Sequence, residues 1–113
     1  MRFGADRITM NVLITGARGN AGQAVSRVVA GAGFAVRMAD VIAPAPDVVA
    51  LGEFVRCDTR TPADVRRAMR GMDAVIHLAA WHSGHMPPVS DDTIFAVNVD
   101  DTFNVLEACR EPM

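Results

Sequence analysis

The chain is 113 residues long, carries a net charge of −2 and is 50% apolar. That leaves room for one domain with a real core, and the scattered arginines make no nucleic-acid footprint. No run is long enough to cross a membrane, and the 2 cysteines, Cys57 and Cys109, stand in no metal or redox spacing.

Residues 1–9 (MRFGADRIT) hold no apolar stretch suited to a signal peptide and precede Met10, which sits where a strand should begin. They read as an extension ahead of one folded unit over 10–113, with Met10 as the native start. The first strand, over 10–15, contains Val12-Leu13-Ile14 and ends in Thr15. Gly16, Gly19 and Gly22 follow, and a helix is predicted over 20–32 with Ala21, Ala24, Val25, Val28, Val29 and Ala32 on one face. Gly16 allows a tight turn off the strand, Gly19 lets the backbone approach a ligand, and Gly22 lets the helix pack close to the strand. The N–H groups of the first helical turn lack partners inside the helix and favour a phosphate.

A second strand over 34–39 leads into Asp40, eighteen positions after Gly22. A carboxylate there can accept hydrogen bonds from both ribose hydroxyls of an adenosine, so strand, turn, helix and acid together point to a dinucleotide. Val41 to Leu51, with Pro44 and Pro46, reads as a surface loop. A third strand over 53–57 is closed by Asp58. Thr61-Pro62-Ala63-Asp64 is a helix start, with threonine as N-cap and proline in the first turn. That helix runs to Arg70, buries Val65, Ala68 and Met69, and ends at Gly71. Arg60, Arg66, Arg67 and Arg70 gather around it as a solvated face.

The fourth strand, over 73–78, is followed by Ala79-Ala80 and a loop with Trp81, His82, Ser83, His85, Pro87 and Pro88. His77 reads as a strand-end residue, and His82 and His85 as loop residues facing the substrate side. Their spacing matches no zinc pattern, so no metal site is expected. Adjacent His82 and Ser83 do not make a nucleophile pair. Trp81 either lines a substrate pocket or covers the cofactor. The last helix covers about 91–109, with a polar stripe of Asp100, Asn104, Glu107 and Glu111. Ile94, Phe95, Val99, Phe103, Val105 and Leu106 make it apolar over more than one face, so burial against the sheet and a second surface is expected. Both cysteines read as small buried apolar residues in a reducing, cytoplasmic compartment.

Alternating strands and helices imply a parallel sheet with helices on both faces and strand order 3-2-1-4. Ligands of such sheets bind beyond the strand carboxyl ends, where the order reverses, here between strands one and four. The glycine turn, Asp40, Asp58 and Ala79–Trp81 all fall at strand carboxyl ends.

Thr15 to Gly22 resembles the TGxxGxxG turn of short-chain dehydrogenases/reductases. Asp58, the run His77-Leu78-Ala79-Ala80, and Asn98-Val99 resemble the extended branch, the NAD-dependent epimerase/dehydratase family of sugar and nucleotide-sugar enzymes. The resemblance spans residues 10–110, with a weaker likeness to uronate dehydrogenases in the loop after Ala80 and around Asp40. It implies a Rossmann-like NAD(P)-binding domain, part of a larger one that breaks off after the third main helix. It also implies that Gly16, Gly19 and Gly22, with Arg18, Asn20 and Ala21, cradle the pyrophosphate. Asp40 would hold the adenosine ribose, and Asp58 and Thr59 would meet the adenine edge. Leu78, Ala79 and Ala80 would pass under the cofactor, and Asn98 would lie near the nicotinamide half.

Two departures stand out. The family's helix motif Asn-Val-x-Gly-Thr reads Asn98-Val99-Asp100-Asp101-Thr102 here, placing an aspartate where the motif has glycine. The chain also has 0 tyrosines, so the family's catalytic Tyr-x-x-x-Lys pair is missing and no catalytic residue is assigned. Asp40 would repel a 2′-phosphate, which favours NAD over NADP, although Arg18 pulls the other way. The wide apolar last helix implies a homo-oligomer or association with a complementary chain. Two functions fit: the NAD-binding N-terminal portion of an extended dehydrogenase/reductase acting on a sugar or nucleotide sugar, inactive alone, or a stand-alone non-catalytic dinucleotide-binding or sensing module that needs a partner chain.

Overall fold

The structure, a computed structural model, describes residues 9–81 and 88–111. The expectations for residues 1–8 and for His82, Ser83, His85 and Pro87 lie outside the described residues.

Four strands form one parallel sheet: β1 (Asn11–Thr15), β2 (Ala35–Asp40), β3 (Glu53–Arg56) and β4 (Ala74–His77), in the order β3-β2-β1-β4. The helices are α1 (Asn20–Gly31), α2 (Pro46–Val49), α3 (Pro62–Met69) and α4 (Asp91–Cys109). In β1 the side chains alternate between the two faces, as the period of a strand requires. Leu13 packs with Ala39, Val65, Ala68, Met69, Val105 and Ala108, under α3 and α4. Val12 and Ile14 pack with Val36, Met38 and Val48, under α1 and α2. Buried on both sides, β1 is the centre of the core, which explains its uninterrupted apolar run. Thr15 stands in register with Ala39 on one side and His77 on the other, so the carboxyl ends of three strands are level.

Several expectations need correction. The stretch 41–51 is not all loop: Pro46–Val49 is a short helix whose Val48 is fully buried. Proline suits the first turn of a helix, where its missing N–H costs nothing, so two prolines did not exclude one. An Arg27–Asp47 ion pair of 2.8 Å ties α2 to α1. The inner face of α1 is rotated from the apolar stripe. Gly22 and Ser26 are buried, Val25 and Val29 are half-buried, and Val28 is 71% exposed. A Cβ on Gly22 would lie 2.0 Å from the Gly16 carbonyl oxygen. The helix therefore rides so close to the turn that its seam is set by small residues rather than by the most apolar ones.

Thr61 precedes α3 but makes no side-chain cap; Asp64 instead turns back to accept from the Asp58 N–H (3.1 Å). On α4 the real cap is Ser90, whose hydroxyl accepts from the Thr93 N–H at 3.2 Å. The predicted polar stripe of α4 holds for the exposed Asp100 and Glu111 but not for Asn104. Asn104 faces inward and donates to the Thr59 carbonyl (2.9 Å), and Asp101, Val105 and Ala108 form the buried seam. Phe95, Val99, Phe103 and Leu106 are exposed in the single chain, and Cys109 is exposed rather than buried. No helix among the described residues is long and apolar enough to cross a membrane.

Candidate functional site

The site begins where β1 turns into α1. Gly16 has φ +69°, and a Cβ there would meet the Ala79 nitrogen at 2.7 Å and the Leu78 carbonyl carbon at 2.8 Å. Only glycine combines that conformation with that approach. Thr15 fastens the same junction. Its hydroxyl oxygen accepts from the Leu78 N–H (3.0 Å) and the Ala79 N–H (3.2 Å). With its lone pairs so used, its proton goes to His77 Nδ1 at 2.7 Å, which leaves the other ring nitrogen protonated. Burial holds the His77 imidazole below its usual pKa, partly offset by the charge of Asp101, so the neutral ring is favoured.

Gly19 opens α1 without a side-chain cap, and the first turn of that helix carries no acidic residue. The first bond into the helix is Gln23 N–H to the Gly19 carbonyl (2.9 Å), so the amides of Asn20, Ala21 and Gly22 come before it. A Cβ on Gly19 would meet only the Gly16 oxygen, at an ordinary 3.5 Å, so the space above it is open. Uncapped amide donors with no acidic side chain in their own helical turn form an electrostatic seat for an anion.

A crevice of about 570 Å³ runs from this turn across the carboxyl ends of the strands. Of the residues expected at the site, Gly16, Gly19, Asn20, Ala21, Gly22, Asp40, Asp58, Thr59, Leu78, Ala79 and Ala80 line it together. The Asp40 carboxylate accepts from the Arg18 N–H (2.9 Å) and the Val41 N–H (2.7 Å), so it braces the turn as well as facing the crevice. Arg18 takes part through its backbone and is not a lining residue. Asn98 also stands outside the lining. Its amide clamps the Trp81 backbone, accepting from the N–H and donating to the carbonyl, both at 2.8 Å. A larger depression, about 850 Å³, follows the outer face of α4 past Phe95, Val99 and Phe103 and lies away from the glycine turn.

Among the wall residues that sequence reasoning missed, three carry titratable side chains. Arg60, expected on a solvated face, folds back on Asp58 with bonds of 3.0 and 2.8 Å to its two oxygens and lies 5.3 Å from the Trp81 ring centre. That pairing holds the Asp58 carboxyl below its usual range. Cys57 also lines the crevice, but burial and neighbouring carboxylates push its thiol up to about 11, which disfavours the thiolate. The third is Asp101, 3% exposed, with an Oδ1 that has no hydrogen-bond partner among the described residues. Burial raises its pKa, while the Thr59 side chain and His77 oppose the rise. The aspartate in a glycine position of the helix motif was the signal for it. Among the described residues no three His, Cys, Asp or Glu side chains gather to hold a metal ion.

Parallel sheet, glycine turn and crevice at the strand-order reversal together define a Rossmann-like nucleotide-binding domain. The chain belongs to the NAD-dependent epimerase/dehydratase family, whose profile matches residues 12–112. It is 29% identical over 100 residues to a uronate dehydrogenase of Pseudomonas putida, covering 88% of this chain and 36% of that protein. Among solved structures it resembles UDP-glucose 4-epimerase from Brucella ovis in complex with NAD, with TM-score 0.74, 30% identity, and coverage of 90% of this chain and 32% of that one. Uronate dehydrogenase from Agrobacterium tumefaciens is similar at TM-score 0.71 and 26% identity, covering 90% of this chain and 36% of that one. The chain thus spans about a third of the length of these three proteins.

Proposed function

We propose that these residues form the NAD-binding portion of an extended short-chain dehydrogenase/reductase that acts on a sugar or nucleotide sugar. The observation that carries this reading is the single crevice shared by the uncapped glycine turn, Asp40, Asp58 and the Leu78–Ala80 segment. The pyrophosphate sits on the turn formed by Gly16, Arg18, Gly19, Asn20, Ala21 and Gly22. Asp40 takes the adenosine ribose hydroxyls, and Asp58 and Thr59 face the base. Leu78, Ala79 and Ala80 run beneath the cofactor, and Asn98 acts on its nicotinamide side by fixing Trp81. When bound, the nicotinamide would carry the hydride. With 0 tyrosines, these residues supply no tyrosine acid or base, so their own role is binding and orienting the cofactor.

NAD is preferred over NADP in this reading, because a 2′-phosphate would face the Asp40 carboxylate. The uronate dehydrogenases among the similar proteins support a sugar acid as the substrate of the whole enzyme. The exposed Phe95, Val99, Phe103 and Leu106 on α4 support self-association or a partner chain, and a cytoplasmic location belongs to the same reading. Calorimetric titration of the 113-residue chain with NAD and NADP is the test. Saturable binding with NAD tighter is expected. Absence of binding, or binding indifferent to Gly19→Val, would refute the cofactor role.

A further inference from the structure

We propose that His77 is a positioning residue for the floor of the crevice, and that protonation of its ring loosens that floor and weakens NAD binding. The neutral ring orients the Thr15 hydroxyl, and the hydroxyl holds the Leu78 and Ala79 amides. The inference rests on the dinucleotide reading above and extends it to a residue that does not line the crevice.

Thr15 and His77 stand side by side in the register of β1 and β4, at the carboxyl ends of both strands. Thr15 is 1% exposed, so water does not replace a bond lost there. A hydroxyl has two lone pairs and one proton. The Leu78 N–H (3.0 Å) and the Ala79 N–H (3.2 Å) take the lone pairs, and the proton goes to His77 Nδ1 (2.7 Å). Every group is satisfied only while Nδ1 is an acceptor. In the imidazolium both ring nitrogens are donors. The Thr15 proton then loses its acceptor, and three N–H groups compete for two lone pairs. One of them goes unpaired in a closed place, which is costly. Both amides belong to the segment that lies against Gly16, where a Cβ would stand 2.7 Å from the Ala79 nitrogen. A shift of that segment is therefore felt at the glycine turn and along the Leu78–Ala80 lining together.

The charges around the ring set when this happens. Burial disfavours the imidazolium, and Asp101 of α4 favours it. Among the described residues no other charged group acts on the ring: β1 presents the Thr15 hydroxyl, and Asp58 and Arg60 act on Asp101 instead. The ring is thus neutral near neutral pH and takes its proton below the ordinary 6.5 of histidine.

The experiment is calorimetric NAD titration of the 113-residue chain over a pH series, with the His77 imidazole followed by NMR. Affinity should be level above the ordinary 6.5 and fall severalfold by about pH 5, tending to about tenfold per pH unit once the ring is mostly protonated. By reciprocity, saturating NAD should lower the pH at which His77 takes its proton. His77→Asn keeps an acceptor near the Nδ1 position but does not titrate. Its affinity should stay level over the same range, which separates His77 from His82 and His85. Asp101→Asn removes the charge that favours the imidazolium, so the fall should move to lower pH. Melting curves report whether each variant folds, and the response of the parent's His77 to NAD decides without any variant. Affinity that stays level through the titration of His77, or a His77 titration indifferent to NAD, would overturn the inference while leaving the dinucleotide reading standing. So would a folded His77→Asn chain that keeps the parent's fall. A parent that binds no NAD at any pH would overturn both.

Discussion

The glycines of the turn are predicted to fail in different ways. At Gly22 an added Cβ would stand 2.0 Å from the Gly16 oxygen, 2.7 Å from the Ala17 Cα and 2.8 Å from the Gly16 carbonyl carbon. All three are backbone atoms, so relief requires moving α1 off the sheet. Alanine in a helix gains about 1 kcal/mol over glycine in propensity. Overpacking costs about 1–3 kcal/mol where side chains can yield, and rigid backbone puts this site at or above the top of that range. The net loss for Gly22→Ala is therefore at least about 2 kcal/mol, or a melting point lower by roughly 10 °C in a domain this small. Gly19 has φ −69° and open space above it, so Gly19→Val should melt close to the parent. Its side chain instead enters the crevice, and NAD affinity should fall at least roughly tenfold through lost phosphate contacts. The assays are thermal and urea denaturation beside calorimetric NAD titration. A Gly22→Ala chain as stable as the parent would refute the close-packing argument. A Gly19→Val chain that loses stability in proportion to its affinity would refute the division of roles.

Asp40→Ala should narrow the NAD-to-NADP affinity ratio by roughly tenfold, since a charged acceptor leaves the ribose site; competitive titration with both cofactors checks it, and an unchanged ratio counts against the assignment. Asn98→Ala removes both bonds to the Trp81 backbone, so emission of the chain's 1 tryptophan should shift and become more readily quenched by iodide, measurable without any ligand. Stability should respond to pH with two opposed signs. His77, depressed by burial, contributes stability that is present above its ordinary 6.5 and lost as pH falls through its lower folded value. Asp101, raised by burial, favours the fold below its ordinary 3.8 and loses that contribution as pH rises through its folded value. Asp101→Asn should accordingly melt higher than the parent at neutral pH and show no such advantage in acid; a pH series of melting curves that stays parallel for the two proteins would contradict it.

Much of the architecture was legible because strands that are buried on both faces must be written as apolar runs. Val12-Leu13-Ile14 admits few other readings, the half-buried edge strand Ala74–His77 repeats the pattern more weakly, and parallel connections then dictate the strand order. The crevice lining was legible for the same reason: glycines and acids at strand ends have few structural excuses. Legibility failed where packing distance overrules apolarity. Val28 looks like a core residue and Ser26 does not, yet the seam beside Gly22 accepts only the smaller side chain. The short helix at Pro46–Val49 is below the length at which periodicity can register. Arg60 was hidden because its role depends on which way a loop turns its side chain toward Asp58 and Trp81, and no local pattern encodes that; Asp101 showed only as a departure from the helix motif, without its burial against Thr59.

The floor and the walls of the crevice therefore answer to different constraints. The floor is backbone: the Gly16 turn lies against Leu78 and Ala79, and one hydroxyl, that of Thr15, fastens both amides and His77. Nothing in that junction waits for a ligand, so in the proposed reading the phosphate seat is preformed and would cost little ordering on binding. Because it is also where β1 meets β4, a change there is felt first as lost stability. The walls are side chains: Arg60 bridging Asp58 and Trp81, Asn98 clamping the segment after β4, and Asp101 buried behind Thr59. In the proposed reading these side chains would face the parts of a dinucleotide that differ from one cofactor to another. Selectivity in this chain should accordingly reside in α4 and the loop after β3, while affinity for the shared pyrophosphate resides in the turn.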